Sequence, residues 1–257
     1  AVTVDTGTTT LGSAGRLNSG SGVTINSGGL TLGGNESVAS LTNSGTIGGT
    51  GTLTSAGGYA LKGGNVNAVL GSGAVTVDTG TTTLGSAGRL NSGSGVTINS
   101  GGLTLGGNES VASLTNAGGT LGGSGTLTAS TYALNGGTVS AGLGAGTINV
   151  AGSSTLSGNA GAGVVNVNSG SLSLGGANVL NASAGVTVAG SSTLNLGANS
   201  QSVAALTNSG TIAGSATLTS SGGYALKGGN VNAVLGSGAV TVDTGTTTLG
   251  SAGRLNS

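Results

Sequence analysis

The chain has no proline, cysteine, methionine, tryptophan, phenylalanine or histidine, and its aromatic residues are three tyrosines. The lack of cysteine excludes disulfides and thiolate chemistry, and without cysteine or histidine no zinc site is expected. Charged residues are also scarce: the chain has five basic and five acidic residues, and its net charge is zero. A neutral chain exerts no long-range attraction on nucleic acid, so we expect no nucleic-acid partner.

Long apolar segments are also missing. No apolar run is long enough to predict a membrane-spanning helix. No basic segment followed by an apolar one is present, so the sequence predicts no signal peptide. Because the text starts inside one repeat and stops inside another, we expect it to be a window of a longer polypeptide.

Glycine is what the chain has in excess, at 59 of 257 residues. Each glycine costs roughly 1 kcal/mol relative to alanine inside a helix, which argues against helices. Glycine-rich and serine-rich text also occurs in flexible linkers. Here, however, 57 residues are valine, leucine or isoleucine, and they alternate with polar residues. That pattern predicts a folded chain of short β-strands around a thin aliphatic core.

The sequence is built from long repeats. Residues Ala1–Asn43 recur letter for letter at Ala74–Asn116, and the first 19 of them recur at Ala239–Ser257. A second module, Ser44–Gly73, returns at Ser209–Gly238 with four substitutions. Such periods, with glycine turns between short strands, are typical of stacked coils.

The superrepeats span 1–73, 74–146 and 147–238, followed by the partial copy 239–257. The third is longer than the first two by the length of that partial copy, and both of its flanks stay in phase. The 19 extra residues therefore predict one additional coil, and hence about 13 coils in the chain. We predict an all-β fold, a single continuous parallel β-helix (β-solenoid) over 1–257 with about 19–20 residues and three short strands per coil.

Strands of the first coil are predicted at Val2–Val4, Thr8–Leu11 and Arg16–Asn18, and those of the second include a strand at Val38–Leu41. Module Ser44–Gly73 contains four strand patterns, one more than a three-sided coil needs. Either it holds a longer coil with a protruding loop, or the coil outline changes there. Alternation predicts inward side chains at Val2, Val4, Leu11, Leu17, Val23, Ile25, Leu30 and Leu32, and outward ones at Thr3, Thr24 and Thr31.

The acidic residues do not form a catalytic pattern. They are copies of two repeat positions and lie at different corners without a histidine, so we predict no enzyme activity. We expect them to be solvated turn residues that pair locally with Arg16 or Lys62. No aspartate accompanies the paired glycines, so neither a metal site nor a cofactor is predicted. The acidic residues of the chain are Asp5, Glu36, Asp78, Glu109 and Asp243.

Two further features suggest contact surfaces. Threonine runs occur at Thr8–Thr10, Thr81–Thr83 and Thr246–Thr248. A stacked threonine face would suit an ice-binding or carbohydrate-binding solenoid, although threonine is also a common strand former, and these runs recur once per superrepeat.

The tyrosines would lie on one face if the coils are in phase. They are either surface contacts for sugar or a neighbouring fibre, or covers for a corner of the core. They are Tyr59, Tyr132 and Tyr224.

Three segments carry a resemblance to a known family: GLTLGGN at Gly29–Asn35, SVASLTNSGTI at Ser37–Ile47 and YALNGGTV at Tyr132–Val139. They resemble the repeats of filamentous-haemagglutinin-like exoproteins, large Gram-negative adhesins exported by two-partner secretion or as autotransporter passengers. The resemblance implies a right-handed β-helix, an outer-membrane secretion partner and a stalk with a distal adhesive tip.

On this basis we expect the structural shaft of a secreted bacterial surface adhesin or extracellular fibre, located at the cell surface. It would mediate attachment, aggregation, or biofilm or sheath formation. Its partners would be neighbouring fibres, copies of itself, or host or matrix carbohydrate. The alternatives are a self-assembling β-solenoid filament and the threonine-faced ice or carbohydrate binder.

Overall fold

A computed structural model describes residues 1–250 and Leu255. Within this part the secondary structure is entirely β-strand, and strands that are neighbours in space pair in parallel. The chain divides into two compact units, Ala1–Ser130 and Thr131–Ser257, which are described in turn.

The first unit contains eighteen strands. In chain order they are β1 (Val2–Val4), β2 (Thr8–Leu11), β3 (Gly22–Ile25), β4 (Gly29–Leu32), β5 (Glu36–Val38), β6 (Ser40–Asn43), β7 (Thr46–Gly49), β8 (Thr52–Ser55), β9 (Tyr59–Leu61), β10 (Gly64–Val66), β11 (Val69–Leu70), β12 (Val75–Val77), β13 (Thr81–Leu84), β14 (Gly95–Ile98), β15 (Gly102–Leu105), β16 (Glu109–Ser110), β17 (Ser113–Gly123) and β18 (Thr126–Thr128).

The pairing of these strands gives the number of residues in each coil. Val2 lies beside Val23, Val23 beside Leu41, Leu41 beside Tyr59 and Tyr59 beside Val75. The coil from Val2 to Val23 is the longest of these four, and the coil from Tyr59 to Val75 is the shortest. Together the four coils fill the superrepeat 1–73, because the second copy restarts with the same register at Val75 and Val96.

The second unit contains the remaining strands: β19 (Thr131–Val139), β20 (Gly142–Leu143), β21 (Thr147–Val150), β22 (Ser153–Leu156), β23 (Val164–Val167), β24 (Ser171–Leu174), β25 (Gly185–Val188), β26 (Thr193–Asn195), β27 (Gln201–Val203), β28 (Ala205–Asn208), β29 (Thr211–Ala213), β30 (Thr217–Ser220), β31 (Tyr224–Leu226), β32 (Gly229–Val231), β33 (Val234–Leu235), β34 (Val240–Val242) and β35 (Thr247–Leu249). Its stacked residues are Tyr132, Ile148, Val165, Val186, Leu206, Tyr224 and Val240.

The parallel β-solenoid predicted from the sequence is confirmed, with about 14 turns about 18 residues apart. From Ile148 to Val240 the third superrepeat makes five coils instead of four, so its extra residues are one additional coil, as predicted. The mean coil is shorter than predicted, because short coils such as Tyr59 to Val75 occur together with long ones such as Val2 to Val23. Handedness and the continuity of one solenoid over 1–257 stay predictions.

Each coil has three sides. In both units two of these sides are formed by strands, whereas the third side is a strand in only some of the coils. In the first unit, β5, β8 and β11 pair on this side. The segment Arg16–Asn18, predicted as a strand, is an irregular loop, and the strand predicted at Val38–Leu41 is divided at Ala39 between β5 and β6.

Module Ser44–Gly73 does not correspond to one coil. Its four strand patterns arise because it contains most of the coil that starts with β6 and nearly all of the short coil that starts with β9. Both coils carry a strand on the third side. The ambiguity came from cutting the sequence at a repeat boundary that is not a coil boundary.

The core consists of columns of inward aliphatic side chains. Of the predicted inward residues, those of the second coil are buried, whereas Val2, Leu11 and Leu17 are half-buried because the first coil has a neighbour on one side only. At one corner the backbones of successive coils approach so closely that only glycine fits. A Cβ on Gly64, whose φ is +79°, would lie 1.9 Å from the carbonyl oxygen of Gly45.

Candidate functional surfaces

The two glutamates are buried, which corrects the prediction that they are solvated turn residues. Glu36 is 2% exposed, and its side chain points inward from β5. The Oε1 and Oε2 atoms accept hydrogen bonds from the backbone amides of Arg16 (2.9 Å) and Leu17 (2.8 Å) in the preceding coil. The carboxylate therefore replaces the missing third-side strand as the partner of this turn. Sequence analysis missed it because a charged side chain is rarely buried unless it is paired.

Glu109 repeats this arrangement one superrepeat later. It is 2% exposed and accepts hydrogen bonds from the amides of Arg89 (2.8 Å) and Leu90 (2.9 Å). Burial raises the pKa of the Glu109 carboxyl, and the two amides and the Arg89 guanidinium oppose this change without cancelling it. A carboxylate enclosed in this way holds two coils together and is not exposed to a substrate.

At the equivalent place in the second unit the residue is Gln201, which is 1% exposed. Its Oε1 accepts a hydrogen bond from the amide of Leu180 (3.1 Å), and its Nε2 donates to the carbonyl oxygens of Gly176 and Asn199. We call these three side chains, Glu36, Glu109 and Gln201, the coil clasps. The fold accepts a neutral amide in this position, so the position needs hydrogen-bonding capacity and not a charge.

The aspartates lie at a different corner and pair locally, but Asp5 and Asp78 pair with asparagine side chains and not with the predicted Arg16 or Lys62. Asp5 is exposed and accepts a hydrogen bond from the side-chain amide of Asn26, one coil further on. Asn99 donates in the same way to Asp78 at 2.7 Å. Near the end of the described residues the Lys227 ammonium lies 3.7 Å from Asp243 of the next coil, and both side chains are about half exposed. A pair this exposed contributes little to stability.

Among residues 1–250 and Leu255, no three histidine, cysteine, aspartate or glutamate side chains form a group that could hold a metal ion. Nor does this part of the chain contain a helix long and apolar enough to cross a membrane.

The tyrosines lie in the core, so the proposed surface contacts at Tyr59, Tyr132 and Tyr224 are not available. They are 2%, 0% and 2% exposed respectively. The Tyr59 hydroxyl donates to the carbonyl of Leu53 (2.7 Å) and accepts from the amide of Ser55 (3.1 Å). Burial raises the pKa of Tyr59 and of Tyr224. These side chains close a corner of the core, which was the other interpretation of their spacing.

Threonine forms a more regular surface than the threonine runs indicated. In the first unit, the outward position at the middle of the first strand is threonine in six of seven coils and alanine in the fourth coil. The pairing places these residues in one column, each beside the next. The column, here called the threonine column, is Thr3, Thr24, Thr42, Ala60, Thr76, Thr97 and Thr115. The V-T-V, V-T-I and L-T-N triplets would have revealed it, had their register been known.

Two shallow depressions repeat with the superrepeat on the second side of the coil. Their volumes are about 420 and 450 Å³. Each arises because a glycine stands between two outward threonines, as Gly29 does between Thr8 and Thr46. Hydroxyl groups and backbone line them, without an aromatic or charged side chain. Such walls can hydrogen-bond to water or to sugar hydroxyls, but they provide no stacking surface.

Comparison with protein-family models, with characterised proteins and with solved structures finds no match to this chain. Its fold is therefore established by the structure alone, as a β-solenoid, and its resemblance to filamentous-haemagglutinin-like exoproteins stays a prediction.

Proposed function

We propose that this chain is a structural shaft of a secreted bacterial surface adhesin or extracellular fibre. The proposal rests on the observation that identical repeats of the sequence form coils with the same strand register. Val2 pairs with Val23 in the first superrepeat, and Val75 pairs with Val96 in the same register in the second. Duplication of the sequence therefore adds coils to a stack. At roughly 4.8 Å per coil, the four coils of a superrepeat would add about 19 Å of length.

The side surfaces support the same role. Stacking satisfies the backbone of interior coils and leaves free strand edges only at the ends of a stack. The outward residues are small and hydroxyl-bearing, and the net charge is zero, so shafts can lie side by side without repulsion. We include in the proposal a location outside the cell, an outer-membrane secretion partner, and attachment or biofilm cohesion through neighbouring fibres or carbohydrate. The buried glutamates favour a role without catalysis.

The test is to isolate the native fibre and to dissolve it in hot detergent. A shaft requires that an antibody against Ala1–Asn43 detects one long polypeptide with many repeats. It also requires that removal of the repeats shortens the fibre while its tip, displayed on a shorter stalk, still binds. A fibre that keeps its length without the repeats would refute the proposal.

A second candidate is a filament in which separate chains stack end to end. Successive coils are joined by parallel backbone pairing, as between β31 and β34, and the same pairing could join a coil of one chain to a coil of the next. The filament would dissociate into short chains in detergent, so the same experiment separates it from the covalent shaft.

A third candidate is a solenoid that binds ice or carbohydrate through the threonine column. The regular register of six threonines favours it over the irregular runs in the sequence. Thermal hysteresis measured for the intact chain and for Thr97→Lys tests the ice-binding form. This candidate requires activity in the parent and its loss in the variant, and it is refuted if the intact chain shows none. Retention on a carbohydrate array tests the other form in the same pair of proteins.

A further inference from the structure

We propose that Asn35 and Asn108 are acceptor sites for N-linked sugar, one in each superrepeat of the first unit. Each stands in the sequence Asn-Glu-Ser, which fits the Asn-x-Ser/Thr pattern of N-glycosylation. The pattern is short and also occurs by chance in a chain rich in asparagine and serine, so the geometry of each copy has to separate a site from a coincidence. The proposal rests on the location outside the cell that is part of the proposed function, because this modification belongs to surface segments of secreted chains.

The two residues that the pattern requires point outward on either side of a buried glutamate. Strand β5 begins at Glu36, whose side chain is buried, and residues two apart in an extended segment face the same way. Asn35 and Ser37 are both exposed. The second superrepeat has the same arrangement around the buried Glu109, with an exposed asparagine before it and an exposed serine after it. The inward glutamate thus presents asparagine and serine together at the surface.

The side-chain amide of Asn35 is held through its oxygen, which leaves its nitrogen free. The Oδ1 atom accepts a hydrogen bond from the backbone amide of Thr52 in the next coil at 2.9 Å. Within the part of the chain that the structure describes, the Nδ2 atom has no hydrogen-bond partner. Asn108 is held in the same way by the amide of Thr126, also at 2.9 Å. The atom that would carry a sugar is therefore the atom that the fold does not use.

The transfer needs two components from the cell, an activated sugar phosphate and a glycosyltransferase. The Nδ2 atom forms a bond to the anomeric carbon of the sugar, and the bond from that carbon to the phosphate oxygen breaks. The electron pair of the broken bond leaves with the phosphate, and the amide nitrogen releases one proton. The product keeps the Oδ1 carbonyl, so the Thr52 amide keeps its acceptor and the contact between the two coils is preserved.

The third superrepeat shows that this corner needs a hydrogen-bond acceptor and not an asparagine. The residue equivalent to Asn35 is Ser200, and its Oγ atom accepts a hydrogen bond from the amide of Thr217 at 3.3 Å. A fold that needs only an acceptor leaves the second half of the Asn35 amide without a structural role. That free half is what a modifying enzyme would use.

Asn181 also fits the pattern, in Asn-Ala-Ser, but its amide is engaged at both ends. Its Nδ2 atom donates to the carbonyl of Gly161 at 3.1 Å, and its Oδ1 atom accepts from the amide of Ser183 at 2.9 Å. A sugar on this nitrogen would replace the bond to Gly161. Asn181 is therefore the built-in comparison, since it has the same pattern without the free nitrogen.

The position of the two sites decides which surface the sugars would cover. They lie one superrepeat apart, which is four coils or about 19 Å at the usual strand spacing. Asn35 stands between β4 and β5, at the corner between the second and third sides of its coil. The threonine column is on the first side, so sugars at this corner would leave it uncovered for contacts with neighbouring shafts.

The test is mass spectrometry of the native full-length polypeptide recovered from the cell surface. Cleavage at arginine and lysine places Asn35 in fragment 17–62 and Asn108 in fragment 90–227. We expect both fragments to be heavier than their sequences by at least one sugar, which further fragmentation places on these two asparagines and not on Asn181. Fragment 17–62 at the mass of its sequence would overturn the proposal, as would sugar on Asn181 in place of Asn108.

Ser37→Ala is the matched control, because it removes the serine of the pattern and leaves the contact between Asn35 and Thr52 intact. Ser37 is exposed, so the variant should fold, and its fragment is recognised by the loss of one oxygen. We expect no sugar on Asn35 in this variant and unchanged sugar on Asn108, and sugar retained on Asn35 would contradict the assignment. A surface chain without sugar overturns these sites alone, whereas a fibre length that is independent of repeat number overturns the shaft.

Discussion

Two neighbouring glycines in one strand should respond very differently to the same substitution. Gly49 has φ of +99°, and an added Cβ would lie 2.1 Å from the carbonyl oxygen of Leu32 in the coil below. Gly48 has an ordinary φ, and the nearest atom to its added Cβ is the Thr31 hydroxyl at 3.9 Å. The chain already contains the second change, since the residue equivalent to Gly48 in the third superrepeat is Ala213.

Gly49→Ala combines two costs. A side chain in a sparsely populated backbone region costs about 1–3 kcal/mol. To relieve the clash, the backbone must also move away from Leu32, whose carbonyl accepts hydrogen bonds from the amides of Thr50 (3.1 Å) and Gly51 (3.4 Å). A lost hydrogen bond costs about 1 kcal/mol. We therefore expect local destabilisation of about 3 kcal/mol for Gly49→Ala, and a change within about 0.5 kcal/mol for Gly48→Ala.

A long repeat array is not a two-state folder, so the assay should be local. Hydrogen exchange of the Thr50 amide measures the opening free energy at this corner, and Gly48→Ala is the matched control. Because about 1.4 kcal/mol corresponds to a factor of ten, about 3 kcal/mol corresponds to more than a hundredfold faster exchange. Similar exchange in both variants would refute the argument that backbone contact between coils imposes glycine at this corner.

Three further outcomes follow from the buried polar groups. Tyr59→Phe should destabilise its corner by about 1–3 kcal/mol, because the Ser55 amide loses its hydroxyl acceptor and the Leu53 carbonyl keeps the Gly71 amide as a donor but loses the hydroxyl; unchanged denaturant sensitivity of that region would contradict this. Glu109→Ala leaves two amides without an acceptor and should cost about 2 kcal/mol or more, measured by exchange at Leu90. Because burial raises the pKa of Tyr59 above its ordinary 10.0, stability from this side chain is complete below that value and is lost as the pH rises through the higher folded-state pKa. Tyrosinate absorbance that develops at pH 10 in the folded chain would contradict it.

Much of the fold could be predicted from the sequence because local patterns repeat. Alternation in V-T-V and V-T-I placed Val23 and Ile25 inward, and both are buried. The additional segment of the third superrepeat identified one coil, since an insertion that keeps both flanks in phase must be a whole number of coils. The variation in coil length, from the long coil that starts at Val2 to the short coil that starts at Tyr59, was not predicted. It depends on how much chain forms the third side, which has no pattern of its own when it is a turn.

The clasps and the threonine column depend on register between coils, and a single sequence does not give register. Glu36 looks like a turn residue next to Asn35, and only the position of the Arg16 turn one coil away explains its burial. The tyrosine spacing was consistent with either a surface or a core position. The hydroxyl contacts of Tyr59 with its own corner decide for the core.

The central claim is that these repeats add length to a surface fibre, and the most direct measurement is fibre length against repeat number. Copies of residues 1–73 inserted after Gly73 preserve the phase of the text, because Ala74 restarts the same sequence. In the native full-length polypeptide, electron microscopy should show about 19 Å of added length for each copy, in direct proportion, with attachment retained. A fibre whose length does not change with the number of inserted copies would contradict the claim.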